Sequence, residues 1–345
     1  MRAIVYSENG SSEVLRLEER PVPEPAAGEV RVRIAVSAVN PTDWKNRSGG
    51  GTGAGETGDR TPNQDGAGVV DAVGAGVTSV VPGDRVWLFL SAYQRPTGTA
   101  QEFTVVPAER VVKLPEGVSF DQGASMGVPA MTAHRALTVH EGGPARLSPG
   151  ALEGRTVLVA GGAGAVGHAA IQLAHWAGAT VVTTVSSAEK AASAASAGAD
   201  IVVNYREENA AEVIRTAAPD GVDLVVEVSP SKNAELDAAV LANHGSIAVY
   251  ANDGGDTMTL DVRAHFAINA RYQFLLLYTV GAEALSTAAE DITAALADGA
   301  LPVGTEAGLP LIRFALEDTA AAHDAVEQGV TGKVLIDVAD LPAER

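Results

Sequence analysis

The chain has 345 residues, enough for two domains and a large core. Hydrophobic residues make up 46% and charged residues 19%, an ordinary balance for a soluble globular protein, and no apolar run reaches the length of a membrane span. A net charge of -19 argues against nucleic acid or an anionic membrane surface as partner, and the absence of cysteine excludes disulfides, thiolate catalysis and cysteine metal sites.

The run Met1-Arg2-Ala3-Ile4-Val5-Tyr6 enters a strand pattern with no signal-peptide pattern before it, so a cytoplasmic location is expected. Residues 1–120 read as all-β. Short alternating runs, such as Val30-Arg31-Val32-Arg33-Ile34 and Val69-Val70-Asp71-Ala72-Val73, are divided by turn signals at Pro25-Ala26-Ala27-Gly28 and Val81-Pro82-Gly83-Asp84. The glycine-rich stretch 48–58 reads as a mobile loop. Near Phe120 the pattern changes to strands alternating with Ala-rich helices, with strands expected at 156–160, 180–185, 200–204, 222–228 and 245–250. That rhythm is of βαβ units and a parallel sheet. Helices are expected over 282–298 and 316–328, and then a last strand from Lys333 to Val338 that returns to the first domain.

Within this pattern Thr156 to Ala160 is a short buried strand, and Gly162, Gly164 and Gly167 follow it in G-x-G-x-x-G spacing. Ala-rich helical sequence then runs to about Ala177. A strand that turns on glycines into a helix leaves backbone N–H groups pointing outward, and with the helix dipole they suit a dinucleotide pyrophosphate. The candidate phosphate loop is therefore Gly162-Ala163-Gly164-Ala165-Val166-Gly167. Gly164 lets the backbone approach the phosphates, and Gly167 lets the helix pack close to the strand. The next strand ends in Ser186 and Ser187, with Lys190 one turn later, where an NAD site normally has an acid. Two hydroxyls and a cation suit a 2′-phosphate, so NADPH is preferred. Ser187 also stands where it can N-cap the following helix.

The chain resembles the medium-chain dehydrogenase/reductase superfamily, most closely its zinc-free quinone oxidoreductase branch of zeta-crystallin type. The carriers include Val39-Asn40-Pro41-Thr42-Asp43, Gln64-Asp65-Gly66-Ala67-Gly68, Val81-Pro82-Gly83-Asp84-Arg85-Val86, Gly127-Val128-Pro129-Ala130-Met131-Thr132-Ala133, the glycine loop, Val203-Asn204-Tyr205 and Thr331-Gly332-Lys333-Val334. The resemblance implies an α/β fold: a doubly wound parallel-sheet Rossmann domain beside a GroES-like β-rich catalytic domain, with the active site in the cleft between them. Its boundaries would be 1–125 for the GroES-like part, 126–270 for the Rossmann part, and 271–345 for a dimer strand and the return to the catalytic domain. It implies cofactor roles for Tyr205 near the adenosine 2′-phosphate, for Ala251 and Asn252 on the nicotinamide side, and for Lys333. It also matches Arg271 to Thr279 to a strand that pairs across a homodimer; an exposed apolar edge would otherwise invite aggregation.

Zinc-dependent relatives place Cys where this chain has Asn40, and Gly-His-Glu where it has Asn63-Gln64-Asp65, so no metal site is expected. The seven histidines show no metal-ligand spacing. What remains is hydride transfer from NADPH to an acceptor that needs no strong Lewis acid, such as a quinone or an activated enone. Asn40 is the first candidate for a positioning group. Lys45 stands where the zeta-crystallin type has Tyr and looks like the enone and enoyl reductases of the superfamily; an ammonium there could bind the cofactor ribose or stabilise an enolate. Tyr93 is a candidate for the pocket wall. Asp43 and Asp65 read as residues that fix loops. Two other readings stay open: a dedicated enoyl or enone reductase of a biosynthetic pathway, and a non-catalytic NADPH-binding protein.

Overall fold

The computed structural model describes residues 1–51 and 58–341; the core of the glycine-rich stretch read as a mobile loop, 52–57, lies outside them. The chain forms two compact units. The first is built from both ends of the chain, Met1–Val128 and Leu311 onward, and the second is Pro129–Pro310.

In the first unit the long strand Glu29–Val39 is the centre of a seven-stranded sheet. It pairs antiparallel with Asp65–Val73 on one side. On the other side its first half meets Phe103–Pro107 and its last residues meet Lys333–Asp337. The alternation Val30, Val32, Ile34 points inward and packs with Ile4, Val70, Val86, Val106 and Ile336, while Arg31 and Arg33 stay outside this core. Leu311–Ala315 extends the sheet beyond Lys333–Asp337.

Residues 1–120 are not all-β, because the helix Pro41–Ser48 follows the central strand directly. Pro41 presets φ at the first helical position, Asp43 accepts the Asn40 N–H at 2.7 Å, and Gly49 ends the helix at φ 92°. Two turns bearing only Trp44 as a large apolar group show no helical periodicity, which hid the helix from pattern reading.

The second unit holds a six-stranded sheet in the order Ile201–Asn204, Thr180–Val185, Thr156–Ala160, Val222–Glu227, Leu241–Val249, Arg271–Phe274. Every pairing in it is parallel. The two middle strands Thr156–Ala160 and Val222–Glu227 are largely apolar and buried, as strands covered on both faces must be, whereas the edge strand Arg271–Phe274 is mostly exposed. The order reverses direction between Thr156–Ala160 and Val222–Glu227, and ligands bind outside the carboxyl ends of strands at such a switch point. The helix Ala165–Trp176 begins there. The helix expected at 316–328 is a 3-10 turn, Leu316–Asp318, running into Thr319–Glu327.

Candidate active site

Strand register in the first unit gathers three polar residues that are distant in sequence. Ala38 lies opposite Asp65, and Val39 lies opposite Val334. Asn40, Asp65 and Lys333 therefore meet at one end of the sheet, although Lys333 is 293 residues from Asn40. Lys333 Nζ donates to Asn40 Oδ1 at 2.6 Å, and Asn40 Nδ2 donates to Asp65 Oδ2 at 2.7 Å. An ammonium only donates and a carboxylate only accepts, so the amide of Asn40 has one permitted orientation. All three side chains are buried.

Asp65 also accepts the Val128 N–H on both oxygens at 2.9 Å. Gly127 permits that approach, since a Cβ there would stand 2.1 Å from Asp65 Oδ1. Asp43 accepts the N–H groups of Asn40 and Gln64, at 2.7 and 3.0 Å. Burial, and then repulsion from Asp65, push the Asp43 carboxyl up to about 8. Burial pushes Asp65 up to about 6 against the opposing pull of Lys333 and Asn40. Burial lowers the Lys333 ammonium, and Asp65 and Asp43 oppose it. A protonated Asp43 beside a Lys333–Asp65 pair leaves the buried cluster near neutrality.

A pocket open to solvent adjoins this cluster. Its wall includes Asp43, Gln64 and Tyr93. Gln64 is held by Ala92, whose N–H donates to Gln64 Oε1 at 3.1 Å. The Tyr93 ring carries the Arg110 guanidinium 5.9 Å from its centroid, and its hydroxyl accepts from Gln94 at 3.3 Å. Lys45 is half-buried on the helix Pro41–Ser48, with Nζ 5.8 Å from the Trp44 ring centroid. Among the described residues its ammonium makes no hydrogen bond or ion pair.

In the second unit the glycines divide by what surrounds them. A Cβ on Gly162 would meet Thr183 Oγ1 at 2.2 Å, and one on Gly167 would meet the Gly161 carbonyl oxygen at 2.4 Å. Both are required by packing. Gly164 differs: its nearest neighbour would be 3.5 Å away, so the protein has room for a side chain there and a ligand occupying that space would not. The helix starts at Ala165, and the N–H groups of Ala165, Val166 and Gly167 have no partner within it. Ala163 completes the loop. Gly161, at φ 71°, is a further requirement of the turn that the G-x-G-x-x-G spacing does not include.

Ser186, Ser187, Lys190 and Tyr205 gather at the carboxyl ends of the two adjacent strands Thr180–Val185 and Ile201–Asn204, where Val185 lies opposite Asn204. Ser187 Oγ accepts the Lys190 N–H at 3.3 Å, which leaves the hydroxyl hydrogen free to donate. The Lys190 ammonium has no partner among the described residues. Tyr205 is 52% exposed and is held only by its N–H on Val185 O at 3.1 Å, so it is not a core aromatic. Ala251 and Asn252 follow Leu241–Val249 at the same end of the sheet, and Asn252 Nδ2 donates to Asp256 at 2.5 Å. Open space at Gly164, unpartnered helix N–H groups and a strand that ends in Ser186 and Ser187 where an NAD site has an acid together fit a phosphorylated dinucleotide, with Glu189 beside Lys190 in the first turn of the next helix. Lys333 belongs to the first unit, where it forms part of the Asn40 cluster.

Residues 26–116 match the alcohol dehydrogenase GroES-like domain family, and residues 165–293 match the zinc-binding dehydrogenase family. Quinone oxidoreductase of Rattus norvegicus is 32% identical over 350 residues, covering 97% of both chains. The chain belongs to the quinone oxidoreductase family. NADPH-dependent alkenal/one oxidoreductase of Arabidopsis thaliana is 34% identical over 233 residues, 66% of this chain and 57% of that one. The crystal structure of Escherichia coli quinone oxidoreductase complexed with NADPH superposes with a TM-score of 0.79 at 26% identity, covering 98% of this chain and all of that one. Despite the name of the second matched family, no group of three His, Cys, Asp or Glu side chains among the described residues is placed to hold a metal ion.

Proposed function

We propose that this protein reduces a quinone or an activated enone with NADPH as hydride donor and without a metal ion. The observation that carries the reading is the Lys333–Asn40–Asp65 network, which fills with hydrogen bonds the position where zinc-dependent relatives keep metal ligands. NADPH, once bound, supplies the hydride. The glycine loop and the helix Ala165–Trp176 would hold its pyrophosphate, and Ser186, Ser187, Lys190 and Tyr205 would hold its 2′-phosphate end. On the first unit, the cluster fixes the Asn40 amide and the Gln64 backbone at the margin of the pocket that would receive the acceptor. Conjugation in the acceptor delocalises the incoming charge, so hydrogen bonds and positioning suffice.

We infer an enone preference from Lys45, on the helix that carries the pocket residues Asp43 and Asn46: hydride addition to an enone leaves an enolate with more localised charge than the hydroquinone anion left by a quinone. The experiment is NADPH and NADH oxidation against matched quinones and enones, with wild type and Lys45→Met. NADPH should be preferred, and the variant should lose about 10²-fold in kcat for enones, the scale of one oxyanion donor, and less for quinones. No turnover of any acceptor would end the reading. The same reading includes a cytoplasmic homodimer assembled on the edge strand Arg271–Phe274, supported by the cysteine-free composition and by exposed Phe274 and Leu276 on that edge.

A further inference from the structure

Arg60 is 6% exposed and has no carboxylate partner among the described residues, in a chain with a net charge of -19. Its Nη2 donates to Asn9 Oδ1 at 2.8 Å, and its guanidinium lies 4.5 Å from the Tyr6 ring centroid. Its buried Nε has no hydrogen-bond partner. The side chain is not adrift, because the backbones of Arg60 and Tyr6 bond each other in both directions at 2.9 Å. An unpaired buried cation and an unmet donor both carry a substantial desolvation cost, which a counter-charge would relieve.

Arg60 lines the solvent-open pocket beside the Asn40 cluster. The other cation in that wall, Arg95, is already bound to Glu29 at 2.6 Å. Asp43 is the one carboxylic acid among the described residues of the wall, and both its oxygens are taken by backbone N–H groups. Gln64 uses Oε1 on the Ala92 N–H, and its Nε2 makes no hydrogen bond among the described residues. Among the described residues the pocket thus offers two donors without a protein acceptor, one of them charged, and no free carboxylate competing for them.

We propose that this pocket binds a carboxylate carried by the hydride acceptor, with Arg60 as the charged donor and Gln64 Nε2 as the neutral one. The proposal rests on the reductase reading above for what the carboxylate is attached to, though not for the anion site itself. The test compares trans-4-oxopent-2-enoate with its methyl ester as acceptors, and separately titrates benzoate into the protein by calorimetry. The acid should show a KM lower than the ester by about tenfold or more, the scale of a charge-assisted hydrogen bond. Benzoate should bind saturably. Arg60→Gln should abolish both effects and Arg60→Lys should restore part of each. Equal KM for acid and ester in the wild type, or no benzoate binding, overturns the proposal without recourse to any variant. Benzoate binding that needs Arg60, with no turnover of either acceptor, leaves the anion site standing and removes the reductase reading.

Discussion

Lys333 shows how one side chain is committed by its surroundings. It is the cation that makes burial of Asp65 tolerable, at 4.0 Å from the carboxylate and bridged to it through Asn40. Lys333→Met leaves that carboxylate buried and unpaired, so it should destabilise the protein by about 3–5 kcal/mol in urea unfolding. Asp43 gives a prediction in pH. Its folded value, about 8, lies above its ordinary value of 3.8, so the proton binds the folded state more tightly and stability is lost as pH rises through that window. His140, His168 and His323, all held neutral by burial, act in the opposite sense below about pH 6.5 and are silent above pH 7. Lys333, lowered from 10.5, opposes at higher pH, which confines the test to pH 7–8. Glu227 and Asp237, also raised by burial, act in the same sense, so the wild type is compared with Asp43→Asn, whose unfolding free energy should fall by about 1 kcal/mol less across that interval; identical slopes would show that Asp43 is already ionised at neutral pH. Asn40 and Lys333 were both visible in the sequence as site residues, but for unrelated reasons. Their contact depends on the pairing of Val39 with Val334, and register between strands so far apart leaves no local mark. Arg60 carried no sequence signal at all, because its oddity lies in what does not surround it.

At the scale of elements, the phosphate loop was the most legible part of the chain, since its strand, its glycines and its helix are contiguous. The parallel strands were legible for the same reason, each a bounded apolar run. The strand Leu241–Val249 starts earlier than its pattern, because a register shift after the Val222–Leu241 pair interrupts the ladder before it resumes at Ser246. The helix Pro41–Ser48 was missed, as its start depends on capping by Asp43 and its only large apolar group is Trp44. The glycine loop separates fold from ligand by two substitutions. Gly167→Ala forces a methyl to 2.4 Å from a carbonyl oxygen and should cost about 1–3 kcal/mol of stability. Gly164→Ala meets nothing closer than 3.5 Å and should stay within about 1 kcal/mol of wild type. NADPH affinity, measured by fluorescence titration, should nevertheless fall in the second variant. An unchanged affinity would mean that the space at Gly164 is not a phosphate site.

At the scale of the whole molecule, the second unit ends its sheet on a strand bonded on one side only. Arg271–Phe274 pairs with Leu241–Val249 and, among the described residues, with no strand beyond it, and Val262, Phe266, Phe274 and Leu276 are 73, 63, 59 and 47% exposed. Such an edge is an open template. Phe274→Lys places a charge on it and should convert the proposed dimer to a monomer in size-exclusion chromatography with light scattering; a wild type that already elutes as a monomer sinks the dimer. No helix among the described residues is long and apolar enough to cross a membrane.

The first unit is closed by a segment that is synthesised only after the whole second unit. Residues 129–310 form one continuous segment that can collapse on the ribosome, but the central strand Glu29–Val39 must wait for Lys333–Asp337 before its second half is paired on both sides. Until then Asp65 has no cation, and Asn40 has no donor to set its amide. The site beside the pocket is therefore also a checkpoint of completeness: a chain that stops short of Lys333 keeps every glycine of the phosphate loop and still cannot assemble the Asn40 cluster.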